Sequence, residues 1–240
     1  WPATQQGYAW NYLSYIDPSW ETWSEYSGDF ANNDASSDLL FINYSSRQVG
    51  FWDMNAGQFE QWVSLGTFGE GWDVNSIADF SGDGTDDILF GRFVDANQSF
   101  EWGYWDIDNG VVSSWNSLGS SSSDWAIRDT GDFTGDGRAD IFWHNSSSGG
   151  AGIWEMGPNG SVTWVSLGVV DSAWTPVDEP SQDMNGDGNV DIVWFRNQFS
   201  NSGEPQQIGF WDVDSGAAQW TLIGTVPSGW YLSALGDYTG

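Results

Sequence analysis

The sequence predicts an all-β protein, a β-propeller of four-stranded blades forming a single domain over residues 1–240, and two periodic features carry this prediction. An acidic, glycine-containing segment recurs roughly every 50 residues, which is the length of a propeller blade. Tryptophans spaced by about ten residues recur with the same period, at Trp52, Trp62 and Trp72; Trp105, Trp115 and Trp125; Trp154, Trp164 and Trp174; and Trp211, Trp220 and Trp230.

Residues 132–182 contain the strands expected of one repeat. After the acidic loop, the segment DIFW has the β-branched and aromatic content of a strand, and the turn cluster HNSSSGG follows it. AGIWEM and SVTWVSLG are the next two strands, separated by GPNGS, and a loop through Trp174 leads to the following acidic loop. Short strands with tight turns and no amphipathic helix favour a propeller over a helical solenoid or an α/β sheet.

Composition limits the classes of partner. With 34 Asp and Glu against 5 Lys and Arg, the formal net charge is −29. Such a surface repels nucleic-acid phosphates and anionic lipids, so a cation is the expected partner, with no nucleic acid and no membrane insertion. The chain has no cysteine, which excludes disulfides and leaves metal ions to stabilise the fold.

The acidic loops are candidate calcium sites. Alternate positions of each loop carry an oxygen donor, and glycines allow the tight curl that makes those oxygens converge. Calcium accepts six to eight hard oxygen ligands, whereas magnesium demands a near-ideal octahedron. The candidate ligands, with a main-chain carbonyl at the fourth position of each set, are Asp79, Ser81, Asp83, Thr85 and Asp87; Asp132, Thr134, Asp136, Arg138 and Asp140; and Asp183, Asn185, Asp187, Asn189 and Asp191.

The alternative for any single loop is a polar turn whose Asp side chains bind their own backbone. Repetition disfavours it, because close carboxylates without a cation repel one another. An EF-hand is excluded, since the Glu at position twelve and the flanking helices are missing. The first copy departs from the pattern because its loop is one residue longer and lacks the GDG core. Its candidate ligands, at a site expected to be empty or reshaped, are Asp29, Asp34 and Asp38.

The core of the pattern is GDFTGDGRADI at 131–141, with copies at Asp79 and Asp183. These loops resemble the FG-GAP or VCBS repeats of integrin alpha-subunits, fungal and bacterial lectins and bacterial surface proteins. The resemblance covers nearly all of residues 7–240. It implies a loop that joins the innermost strand of a blade to its second strand and holds calcium on the lower face. It also implies a secreted or cell-surface protein.

The number of blades stays open at this point. The segment at 2–10 is similar to 204–211, and the chain reaches Gly240 inside an acidic loop. Five blades close if the strand at 230–238 joins the N-terminal strands in one sheet. The alternatives are a portion of a seven-bladed ring or a strand donated to a neighbouring subunit.

Aromatic residues outside the repeat pattern are the candidate ligand-binding surface. The regular tryptophans are expected first to pack between blades, because flat side chains fill the wedge between sheets. The exceptions are Phe93, Phe100, Trp102, Phe195 and Phe199. The four phenylalanines are expected to form an uneven rim on the upper face, on the connections 91–100 and 195–206, and Trp102 lies just beyond the first of these connections. Sequons in predicted turns are candidate glycosylation sites, at Asn43, Asn97, Asn145 and Asn159.

No catalytic constellation is recognisable, because the chain has no cysteine, a single histidine in a turn and no nucleophile-elbow or phosphate-binding motif. The sequence therefore predicts a protein that is not an enzyme. The expected function is recognition or adhesion, with a protein or glycan as ligand. The alternative is a structural subunit of a surface layer or filament, a homo-oligomer joined through its incomplete terminal blade.

Overall fold

The computed structural model describes residues 16–22, 27–31, 36–177, 182–196, 206–214 and 217–227. These residues form four antiparallel sheets of four strands each, in which spatial order follows chain order. The first sheet contains β1 (Ser27–Gly28), β2 (Asp38–Asn43), β3 (Gln48–Asn55) and β4 (Gln58–Thr67), and the second contains β5 (Trp72–Ala78), β6 (Asp87–Val94), β7 (Ser99–Asp108) and β8 (Val111–Ser122). The third contains β9 (Ala126–Gly131), β10 (Asp140–His144), β11 (Gly150–Gly157) and β12 (Ser161–Val169), and the fourth contains β13 (Trp174–Pro176), β14 (Ile192–Arg196), β15 (Gln206–Asp214) and β16 (Ala217–Val226).

The meander order follows from tight turns between the third and fourth strands. Ala56 and Gly57 join β3 to β4, and Asn109 and Gly110 join β7 to β8. All four residues have positive φ, between 49° and 76°. Two consecutive residues with positive φ form the type I′ turn, whose twist matches that of a hairpin. A short 3-10 helix, Pro158–Gly160, makes the same connection in the third sheet.

The sheets pack face to face in chain order. Ile88 and Phe90 on β6 share a cluster with Phe51 of the first sheet, whereas Leu89 shares one with Ile141 of the third. The second strand is therefore buried on both faces, which explains why it has a continuous apolar run instead of an alternating pattern. A third cluster joins Ile153 to the fourth sheet.

The acidic loops lie at one edge of the stack and are bonded to each other. In each pair of neighbouring loops, the first Asp of one loop accepts a hydrogen bond, through its main-chain carbonyl oxygen, from a backbone amide of the next loop. The bonds are Asp86 N to Asp29 O at 2.8 Å, Ala139 N to Asp79 O at 2.7 Å, and Val190 N to Asp132 O at 2.9 Å. The loops therefore connect neighbouring sheets as well as the strands within a sheet.

This arrangement of four meandering sheets is compatible with a propeller. The residues predicted to complete a fifth blade, at 2–10 and 230–238, lie outside the described ranges, so the blade count stays a prediction. One detail of the prediction is wrong. The connection expected at 91–100 is only residues 95–98, because β6 and β7 continue further and place Phe93 directly opposite Phe100.

A glycine in the third strand of every sheet leaves room for a tryptophan of the fourth strand. An added Cβ at Gly103 would overlap the ring of Trp115 and lie 2.8 Å from the carbonyl oxygen of Asn116. We expect Gly103→Ala to lower the free energy of unfolding by about 1–3 kcal/mol, as overpacking does. Gly224→Ala is the control, because nothing lies within 4 Å of its added Cβ. Equal urea midpoints for both variants would show that this contact is not tight.

Candidate functional site

The glycines of the acidic loops have the backbone conformation that the sequence predicted. In the three loops with a GDG core, both glycines have φ between 76° and 97°. A side chain with a Cβ is strained in this region, so the curl depends on glycine. The pairs are Gly82 and Gly84, Gly135 and Gly137, and Gly186 and Gly188.

The first Asp of each of these loops accepts amide hydrogen bonds from the loop itself. The Asp79 carboxylate accepts from the amides of Gly82 at 2.6 Å, Asp83 at 3.2 Å and Gly84 at 2.8 Å. Asp132 and Asp183 accept the corresponding three bonds in their own loops. Backbone hydrogen bonds hold the pKa of the exposed Asp183 carboxyl below its usual value.

The last Asp of each loop is buried at the start of the second strand, and its carboxylate accepts hydrogen bonds that fix this end of the strand. Asp87 accepts from the Ile107 amide at 2.9 Å and the Ser81 amide at 2.8 Å. Burial raises the pKa of this carboxyl to about 8, against the opposing effect of the two amides. Asp140 accepts in the same way from the Met156 amide at 2.9 Å and from the Thr134 hydroxyl at 3.1 Å, and burial raises its pKa to about 7.

The middle positions of the loops are also bonded locally. Asp83 accepts from the amide and the hydroxyl of Thr85, at 2.8 and 2.7 Å. Asp136 accepts from the Arg138 amide at 2.9 Å and forms an ion pair with the Arg138 guanidinium at 3.3 Å. In the last loop, Asp187 accepts from the Asn189 amide at 2.8 Å and from the Asn185 side chain at 3.1 Å.

The predicted calcium ligands are therefore near each other in sequence but bonded mainly to amides. Over the described ranges, no three Asp, Glu, His or Cys side chains are grouped as a metal site requires. The carboxylates instead take amide donors of the loop and of the neighbouring strand, as in the polar-turn alternative. The donor set still fits calcium, and Oδ1 of the buried Asp191 has no hydrogen-bond partner among the described residues.

The divergent first loop retains only part of this arrangement. Asp38 is buried and accepts from the Phe30 amide at 3.0 Å and the Met54 amide at 2.8 Å, as Asp87 does in the next sheet. Burial raises its pKa to about 6. The Asp29 amide donates to Asp86 at 2.8 Å, and Asp34 lies outside the described residues.

Two of the predicted ligand-binding aromatic residues, Trp102 and Phe195, are buried. Phe195 lies inside β14, and strand alternation turns Trp102 to the same face as the buried Tyr104. The Trp102 indole N–H donates to the Ser121 hydroxyl at 2.9 Å. Phe93 is exposed and lies 5.0 Å from the partly buried Phe100 between ring centroids, and Phe199 lies outside the described residues.

Two of the predicted glycosylation sites are also corrected. The side chains of Asn43 and Asn145 are buried, and their Oδ1 atoms accept turn amides, so a glycan at either position meets the fold itself. Asn43 Nδ2, the atom that would carry the sugar, donates to the Ser19 hydroxyl at 3.1 Å. Asn97 and Asn159 are exposed, in agreement with their predicted turn positions.

A row of four aromatic side chains lies on each sheet, with three members on its second, third and fourth strands and one on the first strand or on the segment before it. Sequence periodicity indicated the tryptophans but not that the rows line clefts between neighbouring sheets. We name the last three clefts by their sheet: cleft 2, cleft 3 and cleft 4, of about 170, 320 and 280 Å³. Their rows are Trp72, Phe90, Trp105 and Trp115; Trp125, Trp143, Trp154 and Trp164; and Trp174, Trp194, Trp211 and Trp220. In the first sheet the equivalent row is Trp20, Phe41, Trp52 and Trp62.

No family model matches the chain, and no curated protein matches it. Among solved structures, it is similar to hydrazine synthase of Kuenenia stuttgartiensis at 16% identity and a TM-score of 0.37, covering 88% of this chain and 53% of that one. It is also similar to regucalcin of Agrobacterium tumefaciens, described as a calcium-binding protein, at 10% identity and a TM-score of 0.29, covering 83% and 74%. The chain thus spans about half the length of the hydrazine synthase chain.

The prediction that the chain is not an enzyme is corrected: the lack of a familiar catalytic motif does not place this chain in a non-enzymatic class. Identities of 16% and 10% assign no activity to it either. Over the described ranges, no helix combines the length and apolar character needed to cross a bilayer.

Proposed function

We propose that the chain is a calcium-binding β-propeller domain of the FG-GAP or VCBS type, secreted or at the cell surface, that recognises a protein or glycan ligand. The observation that carries the recognition role is the exposed tryptophan in the fourth strand of each sheet. Trp62, Trp115, Trp164 and Trp220 are between 38% and 44% exposed. Trp115, Trp164 and Trp220 each belong to the aromatic lining of one cleft, and exposed aromatic patches are typical of binding sites.

Support for calcium comes from the acidic loops. Their oxygen-rich sequence recurs with the same glycine conformations, and the strongly negative chain gains from binding a cation. When bound, calcium would neutralise loop carboxylates and fix the loops that join neighbouring sheets. The residues that would hold it are the oxygen donors of the Asp79, Asp132 and Asp183 loops.

The recognition role is tested by a glycan array combined with a pull-down from extracellular material, with calcium present throughout. We expect at least one saturable ligand in one of the two experiments. A folded protein that retains nothing in either would contradict the recognition role. Sedimentation that depends on protein concentration, without any ligand, would instead favour the surface-layer or filament subunit.

A further inference from the structure

We propose that Arg138 is a fixed internal cation at the contact between the Asp79 loop and the Asp132 loop. It weakens calcium binding at these two loops and offsets the repulsion among their carboxylates when calcium is absent. This inference rests on the proposed calcium-binding function and adds a regulation of the same sites. The chain has five basic residues, all arginines, and Arg138 is the only one within the three loops that have a GDG core.

Within its own loop, Arg138 donates to both carboxylate oxygens of Asp136. Its amide donates to Oδ1 at 2.9 Å, and its guanidinium donates to Oδ2 at 3.3 Å. Among the described residues, the counterparts of Asp136 in the other two loops, Asp83 and Asp187, accept hydrogen bonds from neutral groups only. An ion-paired carboxylate is a weaker calcium ligand, because the arriving ion is repelled by the guanidinium charge.

The Arg138 side chain also lies against the preceding loop. An added Cβ at Gly82 would be 2.8 Å from Cγ, 3.2 Å from Nε and 3.3 Å from Cζ of Arg138. The next residue, Ala139, donates its amide to the Asp79 carbonyl oxygen at 2.7 Å. Burial raises the pKa of Tyr104 on the second sheet, and the Arg138 charge acts in the opposite direction. The guanidinium is therefore within electrostatic range of the Asp79 loop as well as of its own.

The next pair of loops has a neutral side chain in the same place. Asn189 holds the position of Arg138 in the Asp183 loop, and its Oδ1 lies against Gly135 of the Asp132 loop. Both pairs of loops are joined by the same type of backbone bond, from Ala139 N in one and from Val190 N in the other. Because the bond forms with either side chain, the guanidinium is not needed to shape the contact, and its effect is electrostatic.

A fixed cation among loop carboxylates has two opposite effects. It lowers the repulsion among the carboxylates, so it stabilises the metal-free protein. It also repels a divalent ion, so the same carboxylates bind calcium less tightly. A guanidinium does not lose its proton in proteins, so both effects persist at every pH at which the protein is folded. The two loops that contact Arg138 therefore need more calcium than they would with a neutral residue at this position.

The test is isothermal titration of chelator-treated protein with calcium, on the parent and on Arg138→Asn. Asparagine is the natural residue at position 189, so the variant is expected to fold, and it keeps the main-chain carbonyl. We expect the calcium affinity of one or two sites to rise about tenfold. The rise should persist when Asp187→Ala is present in both proteins, because the Asp183 loop is not involved. In excess chelator the variant should melt below the parent, and saturating calcium should remove or reverse this difference.

Arg47→Asn is the matched control. It removes the same charge from an arginine that pairs with Glu70 at 3.8 Å, outside the loops, and asparagine tolerates its φ of 58°. It should leave calcium affinity unchanged, and Arg138→Lys should keep the parent affinity because it keeps the charge. Equal affinities in the parent and in Arg138→Asn would overturn the proposal, and so would an equal rise in Arg47→Asn. In either case the proposed calcium-binding function stands. If the parent and every variant bind no calcium, both fail.

Discussion

Adding millimolar calcium to chelator-treated protein is expected to raise its melting temperature. A ligand that binds only the folded state contributes about 2.7 kcal/mol per site at one hundred times its dissociation constant. The loops that would be occupied are bonded to each other across sheets, for example Ala139 N to Asp79 O at 2.7 Å. Calcium should therefore stabilise the stack of sheets as a unit.

The measurement is a thermal melt followed by circular dichroism, in excess chelator and in calcium, with equimolar magnesium as the control. Magnesium should give a smaller shift, because its octahedral preference does not suit a loop that offers carboxylates and carbonyls at irregular positions. Superimposed curves in chelator and in calcium would contradict the proposed metal sites.

Replacing Asp87 by alanine is expected to destabilise the protein even without calcium. The carboxylate is fully buried and accepts the amides of Ser81 and Ile107. Its removal leaves two backbone donors without an acceptor, and each costs about 1–3 kcal/mol. Urea unfolding in excess chelator measures the loss directly.

Asp83→Ala is the matched variant, because Asp83 is exposed and belongs to the same loop. It should weaken the response to calcium and destabilise the metal-free protein less than Asp87→Ala does, because water can replace an exposed acceptor for the Thr85 amide and hydroxyl. If Asp87→Ala is as stable as the parent in chelator, the pinning role assigned to this carboxylate is wrong.

The strands and their order could be predicted because local signals agree with the fold. The acidic loops mark the start of β6, β10 and β14, and tight turns such as Asn109 and Gly110 mark the hairpins. Apolar runs such as DIFW mark strands covered on both faces. These signals lie within a few residues of the elements that they define, so the sequence carries them directly.

The roles of individual side chains could not be predicted in the same way, because they depend on residues distant in sequence. The loop pattern marks Asp87 as a candidate metal ligand but does not indicate its bond to the Ile107 amide near the far end of the next strand. Trp102 was expected to belong to a ligand-binding surface, but its neighbour is Trp143 of the adjacent sheet, at 5.3 Å between ring centroids. The clefts require two sheets to be placed side by side before they exist at all.

The central claim is that the acidic loops bind calcium, and the number of ions bound per chain tests it most directly. Isothermal titration of chelator-treated protein is expected to give at least three sites, one for each loop with a GDG core. Asp136→Ala should remove one of them, and Asp34→Ala should have a smaller effect because its loop departs from the pattern. A parent protein that binds no calcium at millimolar concentration, or an Asp136→Ala variant with undiminished stoichiometry, would contradict the claim.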